Sequence, residues 1–319
     1  MNGKKILVTG AGGFVGSHLA RQLHQDGNFV RAVDIKWDGY LKEPYFSEKQ
    51  TLDLRILENC LTATKGMDYV FNLAANMGGI GFITETGADV MYDNVLINAY
   101  IMKASVENKV KRLLFSSSAC IYPTYKQESP EVTPLKESDA YPADPDNFYG
   151  WEKLYSEKMM EAFQKDYKLD VRMARYHNIY GPEGTYRGGR EKSPAALCRK
   201  VAEAGDPGEI EIWGDGKQTR SYCYVDDCVE GTIMLMESAY DKPLNIGSDR
   251  LVTINELADI IIKISGKKIS KRYNPGAPQG VRGRNADLSL LKEVLRWTPR
   301  VSLEEGLKKT YQWISAQLC

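Results

Sequence analysis

The 319-residue sequence contains no run of about eighteen apolar residues, so no transmembrane helix is expected. It has no excess charge of either sign. Forty-two Lys and Arg stand against 42 Asp and Glu, and no overall positive field exists to hold a nucleic-acid backbone or an anionic membrane. Histidine is scarce, with His18, His24 and His177 the only three. None of the six cysteines, at 60, 120, 198, 223, 228 and 319, forms a CxxC pair or has a His at metal-ligand spacing. Neither a metal site nor a disulfide framework is expected. There is no Asn-x-Ser/Thr sequon, and the opening MNGKKILVTG runs from charge into a short strand without an apolar signal region. The expected location is the cytoplasm.

What is present is an alternation. Strand-length apolar runs (KKILVTG, FVRAVD, DYVFNLA, RLLFSSS) are separated by helical patterns, the arrangement of repeated βαβ units on a parallel sheet. After Arg175 the chain turns richer in Gly and Pro. The expected fold is α/β: a Rossmann-type doubly wound parallel sheet over 1–177, with return segments near 219–247, and a smaller substrate-binding domain from 178–218 and 248–319. Thr253 with Glu256, and Ser302 with Glu305, fit capping boxes that start two late helices.

The first strand leads at once into Gly10-Ala11-Gly12-Gly13-Phe14-Val15-Gly16 and then a helical run. Gly10, Gly13 and Gly16, spaced GxxGxxG, let backbone approach a pyrophosphate, and the amides of Phe14 and Val15 belong to a helix N-terminus that favours negative charge. Asp34, at the end of the next strand, can accept hydrogen bonds from a ribose diol and repels a 2′-phosphate, so NAD is expected over NADP. Asp53-Leu54 precedes another helix, and Asp53 either caps it or meets the adenine edge.

Tyr149 and Lys153 fall four apart at the start of a helical pattern, hence on one face. An ammonium beside a phenol favours phenolate, as does the positive charge of an oxidised nicotinamide, so Tyr149 is a candidate base. Ser118, at the end of a strand in a hydroxyl cluster, is placed to hold the oxygen that Tyr149 deprotonates. All three histidines lack a catalytic partner and read as structural.

The GxxGxxG turn, Asn72-Leu73-Ala74-Ala75, Ser116 to Pro123, the YxxxK pair and Arg175 to Pro182 together resemble the extended short-chain dehydrogenase/reductase superfamily over nearly the whole chain. Within it the segments Asn72–Ile83, Ser117–Pro123, Arg175–Ala196, Ile212–Tyr222 and Gly280–Asn285 resemble the GDP-mannose 3,5-epimerase family. The resemblance implies conversion of GDP-mannose to GDP-L-galactose, with GDP-L-gulose as the 5-epimer, through a 4-keto sugar. It assigns Cys120 as the carbon base and Lys192 as the acid. Gly78, Asn178, Glu191, Lys200, Gln218, Arg220 and Arg284 correspond to substrate contacts, the two arginines holding the diphosphate. It also implies a homodimer pairing the helices near Met91–Asn108 and Trp151–Tyr167. Asn76 and Tyr141 depart from the plant-type pattern, which has Asp and Trp.

The chemistry stands beside the resemblance. A ketone at C4 makes the hydrogens on C3 and C5 removable, and inversion then needs one group on each ring face. Two other readings remain open: a UDP-hexose 4-epimerase, which needs Ser118 and Tyr149 only, and a non-catalytic Rossmann dinucleotide sensor. Dehydratases of the superfamily carry an acid pair where this chain has Ala119-Cys120, so elimination is not expected.

Overall fold

The computed structural model describes residues 1–41 and 44–318. The chain opens with β1 (Lys5–Thr9), α1 (Phe14–Gln25), β2 (Phe29–Asp34), β3 (Glu48–Thr51), α2 (Leu57–Thr64) and β4 (Tyr69–Asn72). It continues through α3 (Ile80–Glu85), α4 (Gly87–Glu107), β5 (Arg112–Ser118), α5 (Phe148–Tyr167) and β6 (Val171–Tyr176). The later part holds β7 (Ile179–Tyr180), α6 (Ser193–Glu203), β8 (Gly208–Trp213), β9 (Thr219–Ser221), β10 (Cys223–Tyr224), α7 (Val225–Glu237) and β11 (Pro243–Ile246). It ends with β12 (Leu251–Thr253), α8 (Ile254–Ser265), β13 (Ile269–Asn274), β14 (Gly283–Arg284), α9 (Ser289–Leu295) and α10 (Leu303–Leu318).

Seven strands form one parallel sheet in the order β11-β6-β5-β4-β1-β2-β3. Its inner strands carry apolar residues on both faces because both faces are covered, while the edge strand β3 is polar. Ile6, Val8 and Leu114 point into one core, which continues through Leu197, Leu257 and Leu307 of the later elements. Leu7, Leu113 and Phe115 point into the other, against Ile101 of α4 and Met160 of α5. Strand order reverses between β1 and β4, which opens a crevice beyond their carboxyl ends. Gly10, Asp34, Leu73 and Ser118 all lie at carboxyl ends of sheet strands.

The remaining strands make three small sheets: β7 with β10, β8 with β13, and β9 between β12 and β14. The capping box at Thr253 and Glu256 forms in full, while Ser302 Oγ accepts the Glu305 N–H at 3.3 Å. The histidines serve packing. His18 bonds the Pro182 carbonyl at 3.2 Å and burial lowers its pKa to about 4. His177, fully buried, meets Asn245 Oδ1 at 2.9 Å and burial lowers it to about 3. His24 contacts Ser47 Oγ at 3.4 Å.

Candidate active site

The Gly-rich turn bends back on itself: Gly13 N–H donates to the Gly10 carbonyl at 3.1 Å, and Gly16 packs onto that same carbonyl. Gly13 is the N-cap of α1 and no side chain caps it, so the first-turn amides around Phe14 and Val15 are available to a phosphate. Gly12 was not singled out by the spacing, yet it fixes the turn to the acid. Its N–H donates to Asp34 Oδ2 at 2.9 Å, and a Cβ there would lie 2.2 Å from the Lys36 carbonyl oxygen. Burial raises the Asp34 pKa, opposed by the Lys36 and Gly12 amides. An uncapped helix N-terminus, a backbone cradle that a Cβ would fill and a carboxylate at the second strand end together fit a dinucleotide.

Asp53 does not cap α2, whose N-cap is Ile56. Its carboxylate is taken by Arg55, at 2.7 Å from Nη2, and Arg55 reaches on to Asp93 at 3.0 Å. Those bonds lower the Asp53 pKa. Leu54 beside it is buried.

The reacting cluster is assembled by β5, the turn after it and the first turn of α5. Asn147 Oδ1 accepts the Gly150 N–H at 2.9 Å and starts α5. A Cβ at Gly150 would sit 2.2 Å from the Cys120 carbonyl oxygen, so glycine lets the helix press against the Cys120 turn. Ser118 Oγ accepts the Cys120 N–H at 3.1 Å and lies near enough to the Tyr149 hydroxyl to lower its pKa. Tyr149 is 6% exposed, and burial pushes its pKa well above the usual phenol range, with Cys120 and Glu152 adding to the rise.

The Lys153 ammonium donates to the Ser116 carbonyl at 3.0 Å and lies 5.5 Å from the Tyr149 ring centre. Burial lowers the Lys153 pKa.

Lys192 immediately precedes α6, and burial lowers its pKa while the nearby Cys120 and Cys228 oppose the fall. A lysine holding its proton less tightly is a better acid. Cys120 and Lys192, 72 positions apart in sequence, are thus within electrostatic reach of each other. Arg220 spends its guanidinium on the Thr219 and Val281 carbonyls, each at 2.7 Å, and burial lowers its pKa to about 10, with Arg284 next in effect. Two neighbouring guanidiniums, one without a carboxylate in ion-pair range among the described residues, fit an anionic ligand. Arg284 itself reaches the Cys120 thiol.

Other candidates lie farther along the same face. Lys200 donates to the Glu211 carbonyl at 2.7 Å and stands 5.6 Å over the Trp213 ring. Gln218 donates to the Trp213 carbonyl at 2.9 Å, leaving its own oxygen buried without a partner. Asn178 takes a positive φ of 43° and donates to the Ser221 carbonyl. The Glu191 carboxylate is used by its own loop, accepting the Gly189 N–H at 2.7 Å. The loop of Gly78 is tied to that segment through Gly79 N–H to the Arg190 carbonyl at 3.0 Å. Asn76, in the same loop, donates to Asp93 Oδ2 at 3.0 Å, where an Asp would set two carboxylates together. Tyr141 is exposed, with Lys158 over its ring.

Sequence reasoning also passed over Gln127 and Trp213. Gln127 is fully buried and contacts Arg284 at 2.5 Å; Trp213 is an exposed aromatic between Lys200 and Gln218. The signal for Trp213 was a lone Trp ending an amphipathic strand. Gln127 gave none.

Comparison with known proteins bears on this geometry. Residues 6–247 match the model of the NAD dependent epimerase/dehydratase family. The chain is 48% identical over 315 residues to GDP-mannose 3,5-epimerase of Arabidopsis thaliana, covering 98% of this chain and 83% of the relative. It is 29% identical to GDP-L-fucose synthase of Escherichia coli strain K12, covering 98% and 97% of the two chains. Among solved structures, UDP-glucose 4-epimerase of Thermotoga maritima superposes with a TM-score of 0.89 at 30% identity, covering all of both chains.

Proposed function

Because the chain belongs to the NAD dependent epimerase/dehydratase family, we propose that it is an NAD-dependent isomerase that converts GDP-mannose to GDP-L-galactose by inverting C3 and C5 through a 4-keto sugar. The observation that carries this reading is a thiol, Cys120, beside Ser118 and Tyr149 and within electrostatic reach of Lys192. Bound NAD supplies a reversible hydride acceptor for C4 and, oxidised, a positive charge that favours phenolate. Gly10, Gly12, Gly13 and the first turn of α1 would hold its diphosphate, and Asp34 its ribose.

Tyr149 takes the proton of the C4 hydroxyl and later returns it, while Ser118 holds the same oxygen. Cys120 removes hydrogen from a carbon next to the ketone, and Lys192 delivers a proton from the other face. Arg220 holds the substrate diphosphate. Lys200, Gln218 and the Trp213 ring form a group suited to the nucleoside end, with the unpartnered Gln218 oxygen as an acceptor. A 4-epimerase needs no group at C3 or C5, and would leave Cys120 and Lys192 without a task. Incubating purified protein with GDP-mannose should yield GDP-L-galactose by NMR with no net NADH. Release of a C4 epimer alone would reject the assignment.

The same reading includes a cytoplasmic homodimer. Cys120 must stay a reduced thiol to act as a base, and cell fractionation checks the location. The helices α4 and α5 pack together and leave aromatic side chains exposed: Tyr92 at 67%, Phe148 at 61% and Tyr155 at 54%. Light scattering at micromolar concentration should return twice the 35.9 kDa chain mass. A monomer mass would remove this part of the reading.

A further inference from the structure

The guanidinium of Arg284 is placed to tune chemistry rather than only to hold phosphate. It is 6% exposed, and its Nη1 donates to the Cys120 Sγ at 3.3 Å. Its Nε donates to Gln127 Oε1 at 2.5 Å, and its Nη2 is buried without a hydrogen-bond partner, 3.8 Å from the Asp146 carboxylate. Gln127 cannot turn its amide over, because its Nε2 is spent on the carbonyls of Tyr122 and Pro123 at 3.0 and 3.2 Å. The Gln127 carbonyl also accepts the N–H groups of Arg282 and Gly283, which pins β14 against the turn. One buried glutamine therefore fixes both the strand that carries Arg284 and the direction of its fork.

From this geometry we infer that Arg284 is the positioning residue that holds Cys120 as a thiolate, and that Gln127 aims it. The inference rests on Cys120 being the carbon base of the proposed reaction. A thiolate, not a thiol, removes a proton from carbon, and a fixed donor with full positive charge favours the anion. The other groups facing the thiol are Tyr149 and Lys153 from α5, Lys192 ahead of α6 and Arg220 from β9. Arg284 is the one among the described residues with a hydrogen bond to the sulfur from a side chain. When Cys120 takes the proton from carbon, the Arg284 contact changes from an ion pair to a neutral one. The electron pair of the broken C–H bond passes to the ketone oxygen held by Ser118.

The test is alkylation of Cys120 by iodoacetamide in the resting full-length protein, read by peptide mass spectrometry with no sugar nucleotide present. Arg284→Gln should slow Cys120 alkylation about tenfold at about pH 7 and leave it nearly unchanged at about pH 10, where the thiol ionises without help. Arg284→Lys should retain most of the wild-type rate. Gln127→Met keeps the guanidinium but removes its aim, and should slow the reaction about threefold at the lower pH. Labelling of the buried Cys60 and Cys198 reports any loss of fold, in which case Gln127→Met carries the test. Wild-type alkylation of Arg284→Gln at the lower pH would overturn the inference, as would equal slowing at both pH values. A rise in KM for GDP-mannose with unchanged alkylation would leave Arg284 as a diphosphate ligand only. Product formation tests the proposed function separately, so the two failures can be told apart.

Discussion

Tyr149→Phe should lose turnover by about 10²–10⁴-fold, the range typical of a positioned acid-base group, while NAD stays bound. The substitution removes one hydroxyl beside Ser118 and leaves the ring in its buried place on α5, so the fold should hold. The residues proposed to hold the cofactor's diphosphate and ribose lie at the β1–α1 turn, on α1 and at Asp34, away from the substitution. Fluorescence titration with NAD and a turnover assay on the same sample check both halves. Activity near wild type would show that another group takes the C4 hydroxyl proton.

Cys120→Ala and Lys192→Ala should separate two chemistries that the intact site runs together. Each removes proton transfer at carbon and leaves Ser118, Tyr149 and Lys153 to serve oxidation at C4. Both variants should still show transient NADH absorbance with GDP-mannose, yet exchange at C3 and C5 should fall by about 10²–10⁴-fold. Neither change should cost the fold heavily. Cys120 lies partly exposed at the end of β5, and Lys192 sits on a loop, where its ammonium is disfavoured by burial. If both variants exchange C3 and C5 at the wild-type rate, carbon chemistry belongs elsewhere in the cleft.

The fold was legible because its signals are local. Alternating apolar runs specify a two-faced parallel sheet, a Gly turn opening a helix marks the cofactor end, and four-residue spacing puts Tyr149 and Lys153 on one helical face. What the sequence hid depends on distant partners. Spacing marks Lys153 as a cation for Tyr149, but not that β5 brings the Ser116 carbonyl to the same ammonium. Asp53 reads equally as a cap or an adenine contact, and the sequence does not show that Arg55 takes its carboxylate. Gly12 sits inside a glycine cluster whose spacing draws attention to its neighbours, and its role comes from Lys36 and Asp34 on another strand. The Arg284 contact with Cys120 spans 164 positions, and Gln127, which orients it, lies in a polar stretch with no periodicity to mark it. Burial accounts for the rest: the directions in which Tyr149, Lys153 and Lys192 are shifted follow from desolvation, which no spacing encodes.

A 3,5-epimerase must exchange the carbon-bound hydrogens at C3 and C5 of its sugar. Incubation of the wild-type protein with GDP-mannose in deuterated water, read by NMR, measures that exchange directly. Deuterium should enter both C3 and C5 of recovered sugar nucleotide, and the label should vanish with Cys120→Ala. Inversion at C4 with C3 and C5 left unlabelled would contradict the assignment.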